Sequence, residues 1–209
     1  MILGNRIPYE YFATTGKGQS AAGSEGLKYE TGSYDAALTV AGIENCNVIE
    51  YTSVIPTGAK QISKEEGLKR LKWGEVMECI KAQSNGDKGS FISAAVITTD
   101  VYNEDNTYLG GFALEYSGSG KKEDVIASLS LSLKGLIQRR GYGTVGDVEI
   151  FANNKTSKGY TLYPGKIFIY ESMNVKEEHG TVFAALCWVS YKFPTAKKGS
   201  RKKTRNFLN

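Results

Sequence analysis

Seven segments of this chain alternate apolar with polar residues at a period of two, and that pattern constrains the fold more than any other feature. Residues 45–53, 74–81, 91–101, 108–116, 148–152, 166–171 and 182–191 are rich in Val, Ile, Phe and Tyr. Side chains two apart share one face of a strand, so the spacing predicts strands in all seven. Polar clusters at 85–87 and 103–106 read as hairpin turns. Two segments have helical spacing instead. Residues 34–40 form one, with Ser33 placed to cap it and Gly42 to end it. Residues 121–140 form the other, with Val125, Ile126, Leu129, Leu133, Leu136 and Ile137 on one stripe. Ser119 is its expected cap, Glu123 and Asp124 suit its first turn, and Arg139-Arg140-Gly141 suits its end. The expected fold class is α+β, antiparallel-rich, with helices covering sheets.

The chain has 209 residues, 41% hydrophobic and 23% charged, enough for one proper core and far from a disordered composition. We expect one domain over residues 1–196 and a basic tail over 197–209. Lys197, Lys198, Arg201, Lys202, Lys203 and Arg205 crowd that tail, and without them acids outnumber bases despite the net charge of +4. The tail is read as a solvated terminus rather than a nucleic-acid contact. No apolar run approaches the ~20 residues of a membrane span, and residues 1–8 do not resemble an export signal. Cys46, Cys79 and Cys187 offer neither a disulfide framework nor metal-site spacing, which fits a cytoplasmic protein. The sequon at Asn154 is read as a chance match. A Gly/Ser/Ala-rich stretch, 16–26, reads as a loop without the phosphate-cradling arrangement of a nucleotide site. The single histidine, His179, lies in a charged stretch and is expected in a loop, without a catalytic role.

One region carries more. Asp35-Ala-Ala-Leu38 is followed by Asn45-Cys-Asn47 and then by Thr52-Ser53-Val-Ile-Pro56. On local pattern alone this is a helix-to-strand connection. The ordered set resembles the pyruvoyl-dependent arginine decarboxylase family. The likeness continues through Gly89-Ser-Phe-Ile-Ser-Ala-Ala-Val96, Gly110-Gly-Phe-Ala-Leu-Glu115-Tyr116 and Lys121-Lys-Glu123, and returns at Gly180-Thr-Val-Phe-Ala-Ala-Leu186. It spans roughly residues 5–192. Thr52 departs from the serine common there, residues 152–179 suggest an added hairpin, and the basic tail is extra.

The resemblance implies an αββα sandwich and a self-processing chemistry. The Ser53 hydroxyl would attack the Thr52 carbonyl, the amide would rearrange to an ester, and elimination and hydrolysis would leave a covalent pyruvoyl group with loss of ammonia. The products would be a small chain, 1–52, and a large chain, 53–209. The cofactor would form a Schiff base with the substrate amine and take up electrons as CO₂ leaves, converting L-arginine to agmatine. Glu115 would return the proton to Cα. Strand alternation bears on that role independently, because Leu109, Gly111, Ala113 and Glu115 share one face, and an inward face would raise the Glu115 pKa by desolvation. The resemblance further implies that Asp35 grips the guanidinium and that Asn47 hydrogen-bonds near the reacting group. On a straight predicted strand Asn47 and Ser53 stand roughly 20 Å apart, so they could meet only across subunits. That agrees with the family's trimers, with a hexamer of paired trimers left open, and no membrane partner is expected. Two alternatives stay open: another amino-acid substrate such as histidine, and an unprocessed, non-catalytic paralogue serving as an interaction module.

Overall fold

The computed structural model describes residues 5–21 and 32–193. In chain order they form β1 (Ile7–Ser20), α1 (Ser33–Ala41), β2 (Asn47–Glu50), β3 (Val54–Ile55), β4 (Lys60–Gln61), α2 (Lys64–Leu68), β5 (Val76–Asp87), β6 (Phe91–Tyr102), β7 (Tyr108–Gly118), α3 (Lys122–Arg139), β8 (Asn154–Lys155), β9 (Thr161–Asn174) and β10 (His179–Lys192). One sheet has the order β2-β5-β10-β1-β4 and the other β3-β7-β6-β9-β8. Neighbours are antiparallel except β1 with β4 and β2 with β5, which are parallel.

Strand alternation explains the layering. Along β10, Val182, Ala184, Leu186 and Trp188 pack between the two sheets, whereas Phe183, Ala185 and Cys187 pack beneath α1. Along β6, Ala94 and Val96 point into the inter-sheet core, while Ala95, Ile97 and Val101 meet Val125, Leu129, Leu133 and Ile137 of α3. Both central strands are therefore buried on both faces, and each sheet carries a helix on its outer side. The fold is the expected α+β sandwich. Among the described residues no helix is long and apolar enough to cross a membrane.

Helix α1 lies unusually close to β1. A Cβ added at Gly16 would stand 1.9 Å from the Ala37 carbonyl oxygen, and one at Gly18 2.4 Å from that of Ser33. The glycines permit this approach, so 16–20 is strand rather than loop, paired with His179–Phe183 of β10. The rest of that predicted loop, 22–26, lies outside the described residues, as does the basic tail, 197–209.

Other expectations are corrected. The segment 45–53 is not one strand: β2 ends at Glu50, and residues 51–53 carry the chain to the other sheet. Asn47 and Ser53 therefore do not share a straight strand, and the basis of the 20 Å estimate falls. Residues 148–152 form no strand, because Phe151 has φ 80° and the Asn154 amide ties the turn through Glu149 and Ala152. That side chain is buried, and β8 and β9 then form the suggested hairpin. Ser33 sits inside α1, with its hydroxyl 2.8 Å from that of Thr181, and Gly32 precedes the helix. Ser119 does not cap α3; the Lys121 N–H donates to the Asp124 carboxylate instead. Residues 85–87 belong to β5, and the turn falls at 88–90. His179 begins β10, with Nδ1 3.1 Å from Asp87 Oδ1. The cysteines are free, although Cys79 and Cys187 face one another across β5 and β10.

Candidate active site

The chain changes sheets at residues 51–53. The Tyr51 N–H donates to the Cys79 carbonyl of β5 at 2.7 Å, the last tie to the first sheet. Val54 and Ile55 then pair with Phe112 and Gly111 of β7, and the Ala113 N–H donates to the Ser53 carbonyl at 3.0 Å. Between these anchors the Val54 N–H donates to the Thr52 carbonyl at 2.8 Å, closing a three-residue turn centred on Ser53.

Glu115 lies two residues beyond Ala113 and so on the same face of β7. Its two carboxylate oxygens stand 2.9 and 3.0 Å from Ser53 Oγ. Burial pushes the Glu115 carboxyl above the usual range; the Ser53 hydrogen bond works against that shift, and the negative charge of Glu50 adds to it. Sequence alternation puts Glu115 on one face with Ala113, and the structure buries that part of the face, which accounts for the raised proton affinity.

Ser53 and Glu115 open into a cleft of about 460 Å³, within the range of small-molecule sites, about 300–1,000 Å³. Glu50, Tyr51 and Thr52 line one side, Lys81 and Ser117 another. Lys81 Nζ lies 3.3 Å from Glu50 Oε2 and 3.2 Å from Gln83 Oε1. A smaller cleft, about 210 Å³, opens on the other side of Ser53 toward Ser132, Leu136 and Arg139 of α3.

Asp35 and Asn47 do not line either cleft. Asp35 is exposed in the first turn of α1. Asn47 is exposed at the start of β2, where its Nδ2 donates to the Gly74 carbonyl at 2.8 Å. The structure thus brings Thr52, Ser53 and Glu115 together within one chain and leaves Asp35 and Asn47 apart from them.

A family model described as pyruvoyl-dependent arginine decarboxylase matches residues 10–193. The chain belongs to that family. Among named relatives, pyruvoyl-dependent arginine decarboxylase 2 of Methanosarcina acetivorans is 26% identical over 89% of this chain and 99% of its own length. Pyruvoyl-dependent arginine decarboxylase of Thermoplasma volcanium is 28% identical over 68% of this chain and 73% of its own length. Pyruvoyl-dependent arginine decarboxylase AaxB of Chlamydia caviae is 35% identical over 56% and 62%.

In this member of the pyruvoyl-dependent arginine decarboxylases, sequence reasoning overlooked Glu50, Lys81 and Arg139 as neighbours of Ser53. Glu50 and Lys81 belong to segments read as strands, but nothing local indicates that they meet at the seam between sheets. Arg139 had been read as a helix-end cation, and α3 does end there, with the Gly141 and Tyr142 N–H groups donating to Gln138 and Ile137. The packing of α3 against β7 also brings it beside the Ser53 turn.

Proposed function

We propose that this chain cuts itself before Ser53 and then decarboxylates L-arginine to agmatine and CO₂. The observation that carries this reading is the pairing of the Ser53 hydroxyl with the Glu115 carboxyl in the turn where the chain crosses between sheets. The turn suits the self-cleavage step. A bond forms from Ser53 Oγ to the Thr52 carbonyl carbon, the amide bond to the Ser53 nitrogen breaks, and an ester remains. The Glu115 carboxylate is placed to take the hydroxyl proton, and the Val54 N–H already donates to the oxygen on which charge develops.

The residues around position 53 fit a pyruvoyl group made from that serine, because a partly buried carboxyl and an open cleft adjoin it. Such a group supplies an electron sink for the pair left at the substrate α-carbon when CO₂ departs. Glu115 holds the proton that must return to that carbon, and its burial favours the protonated form at higher pH than an exposed glutamate would allow. Ser53, Thr52 and Glu115 thus supply cleavage and protonation.

Substrate recognition falls to Asp35 for the guanidinium, through a charge-assisted and bidentate pair, and to Asn47 beside the reacting centre. Their absence from both clefts within one chain supports a site shared between protomers of a homotrimer, in which one copy supplies Asp35 and Asn47 and its neighbour supplies Glu115. The test is direct: purified protein given L-arginine should release agmatine and CO₂ in equal amounts. A preference for histidine over arginine would assign the site to another amino acid.

A further inference from the structure

The reaction proposed above removes a carboxylate, so its substrate and product differ by one negative charge at the reacting end. The inference rests on that reading and concerns what in the Ser53 cleft senses the charge. Of the groups lining that cleft, Glu50 and Glu115 are acids and Lys81 is the cation. Glu115 faces Ser53 and carries no positive charge to offer a carboxylate. Lys81 is different. Its side chain is only 18% exposed, so packing of the stem fixes where its charge sits in the cleft. Its partners are the neutral Gln83 amide and Glu50, whose side chain is 62% exposed. An ion pair with a partner so well hydrated is weak and readily exchanged.

We propose that Lys81 receives the α-carboxylate of the substrate, displacing Glu50, and so distinguishes the amino acid from the amine it becomes. An incoming carboxylate brings two acceptor oxygens to an ammonium already held at the cleft wall, whereas Glu50 returns to water at little cost. The contact exists before CO₂ leaves and not after. It therefore strengthens ground-state binding without helping the bond-breaking step. It also gives the product nothing to hold at that end, which favours its departure. Arg139, the other cation beside Ser53, is exposed at the end of α3 and lines the smaller cleft.

Lys81→Met tests this, because it keeps most of the aliphatic stem and removes the charge. In processed enzyme the KM for arginine should rise roughly ten- to a hundredfold, the expected loss of a charge-assisted contact, while kcat does not fall. The inhibition constant of agmatine, which lacks the carboxylate, should stay close to wild type. Calorimetric titration of uncleaved Ser53→Ala protein with arginine and with agmatine should show the same selective loss when Lys81→Met is added. Lys81→Arg should recover most of the arginine affinity. Equal weakening of both ligands, unaltered arginine binding, or a selective loss in Arg139→Leu instead would overturn the assignment. A wild-type protein that makes no agmatine from arginine fails the reading above. A productive wild type with an indistinguishable Lys81→Met variant fails this inference alone.

Discussion

Ser53 Oγ lies 2.9 and 3.0 Å from the two carboxylate oxygens of Glu115, although 62 positions separate the residues in sequence. The contact depends on a change of sheet. Because β2 stops at Glu50, the chain is free to turn at Ser53 and pair with β7, the strand that carries Glu115. A β2 continued straight through Ser53 would have kept the serine on the other sheet.

Glu115→Gln keeps the shape of the side chain but cannot deliver a proton. Turnover by its processed fraction should fall on the order of 10²–10⁴-fold, the usual worth of a positioned acid. The same substitution has a stability signature. Because the folded protein holds the Glu115 proton to a higher pH than the unfolded chain does, wild-type stability should fall as pH rises from the ordinary carboxylate range through the raised folded value. Denaturant titrations of wild type and Glu115→Gln across that window should diverge in this sense, with the variant gaining relative to wild type. Parallel curves would mean that burial does not perturb Glu115.

Glu50→Gln removes a negative charge that helps hold the proton on Glu115 and releases Lys81 from its partner. Both effects favour ionised Glu115, so the alkaline limb of the pH–rate profile should move to lower pH. Because Glu50 is largely exposed, salt should diminish the displacement. A limb that stays in place would show that Glu50 does not act on Glu115.

Asp35→Asn should weaken arginine binding roughly ten- to a hundredfold by removing a charge-assisted pair. If the proposed trimer shares its sites between protomers, mixed assemblies of processed Asp35→Asn and Glu115→Gln subunits should regain activity, since some interfaces would combine both intact residues. Mixed assemblies verified by mass that stay inactive would place each site within one chain.

Gly16→Ala would drive a methyl group into the backbone of α1, where the Ala37 carbonyl oxygen stands 1.9 Å from the ideal Cβ position. Overpacking of this kind should cost about 1–3 kcal/mol, read as a lower denaturant midpoint. An unchanged midpoint would mean that α1 can move away from β1 freely.

The sequence disclosed the site unevenly, for physical reasons. Glu115 was legible because it stands two residues from Ala113 on β7, and Ala113, its same-face neighbour, is core. Helix α3 was legible because its apolar stripe, acidic first turn and basic end agree. Strand β1 was not, because Gly16-Lys-Gly-Gln-Ser20 carries turn-forming residues, and those glycines serve the close approach of α1 instead. The break after Glu50 escaped notice because Thr52, Val54 and Ile55 continue the β-branched run straight through the crossover. Lys81 joined the Ser53 cleft only through packing of β5 against β7, a contact between sheets that no local pattern records.

Whether the chain breaks between Thr52 and Ser53 can be read from the intact mass of freshly purified protein. Two species should appear, one ending at Thr52 and one beginning at position 53, the latter lighter by one ammonia than a serine terminus would give and blocked to amino-terminal sequencing. Ser53→Ala should give a single uncut chain. A wild-type protein that decarboxylates arginine while remaining one intact 22.8 kDa chain would contradict the account.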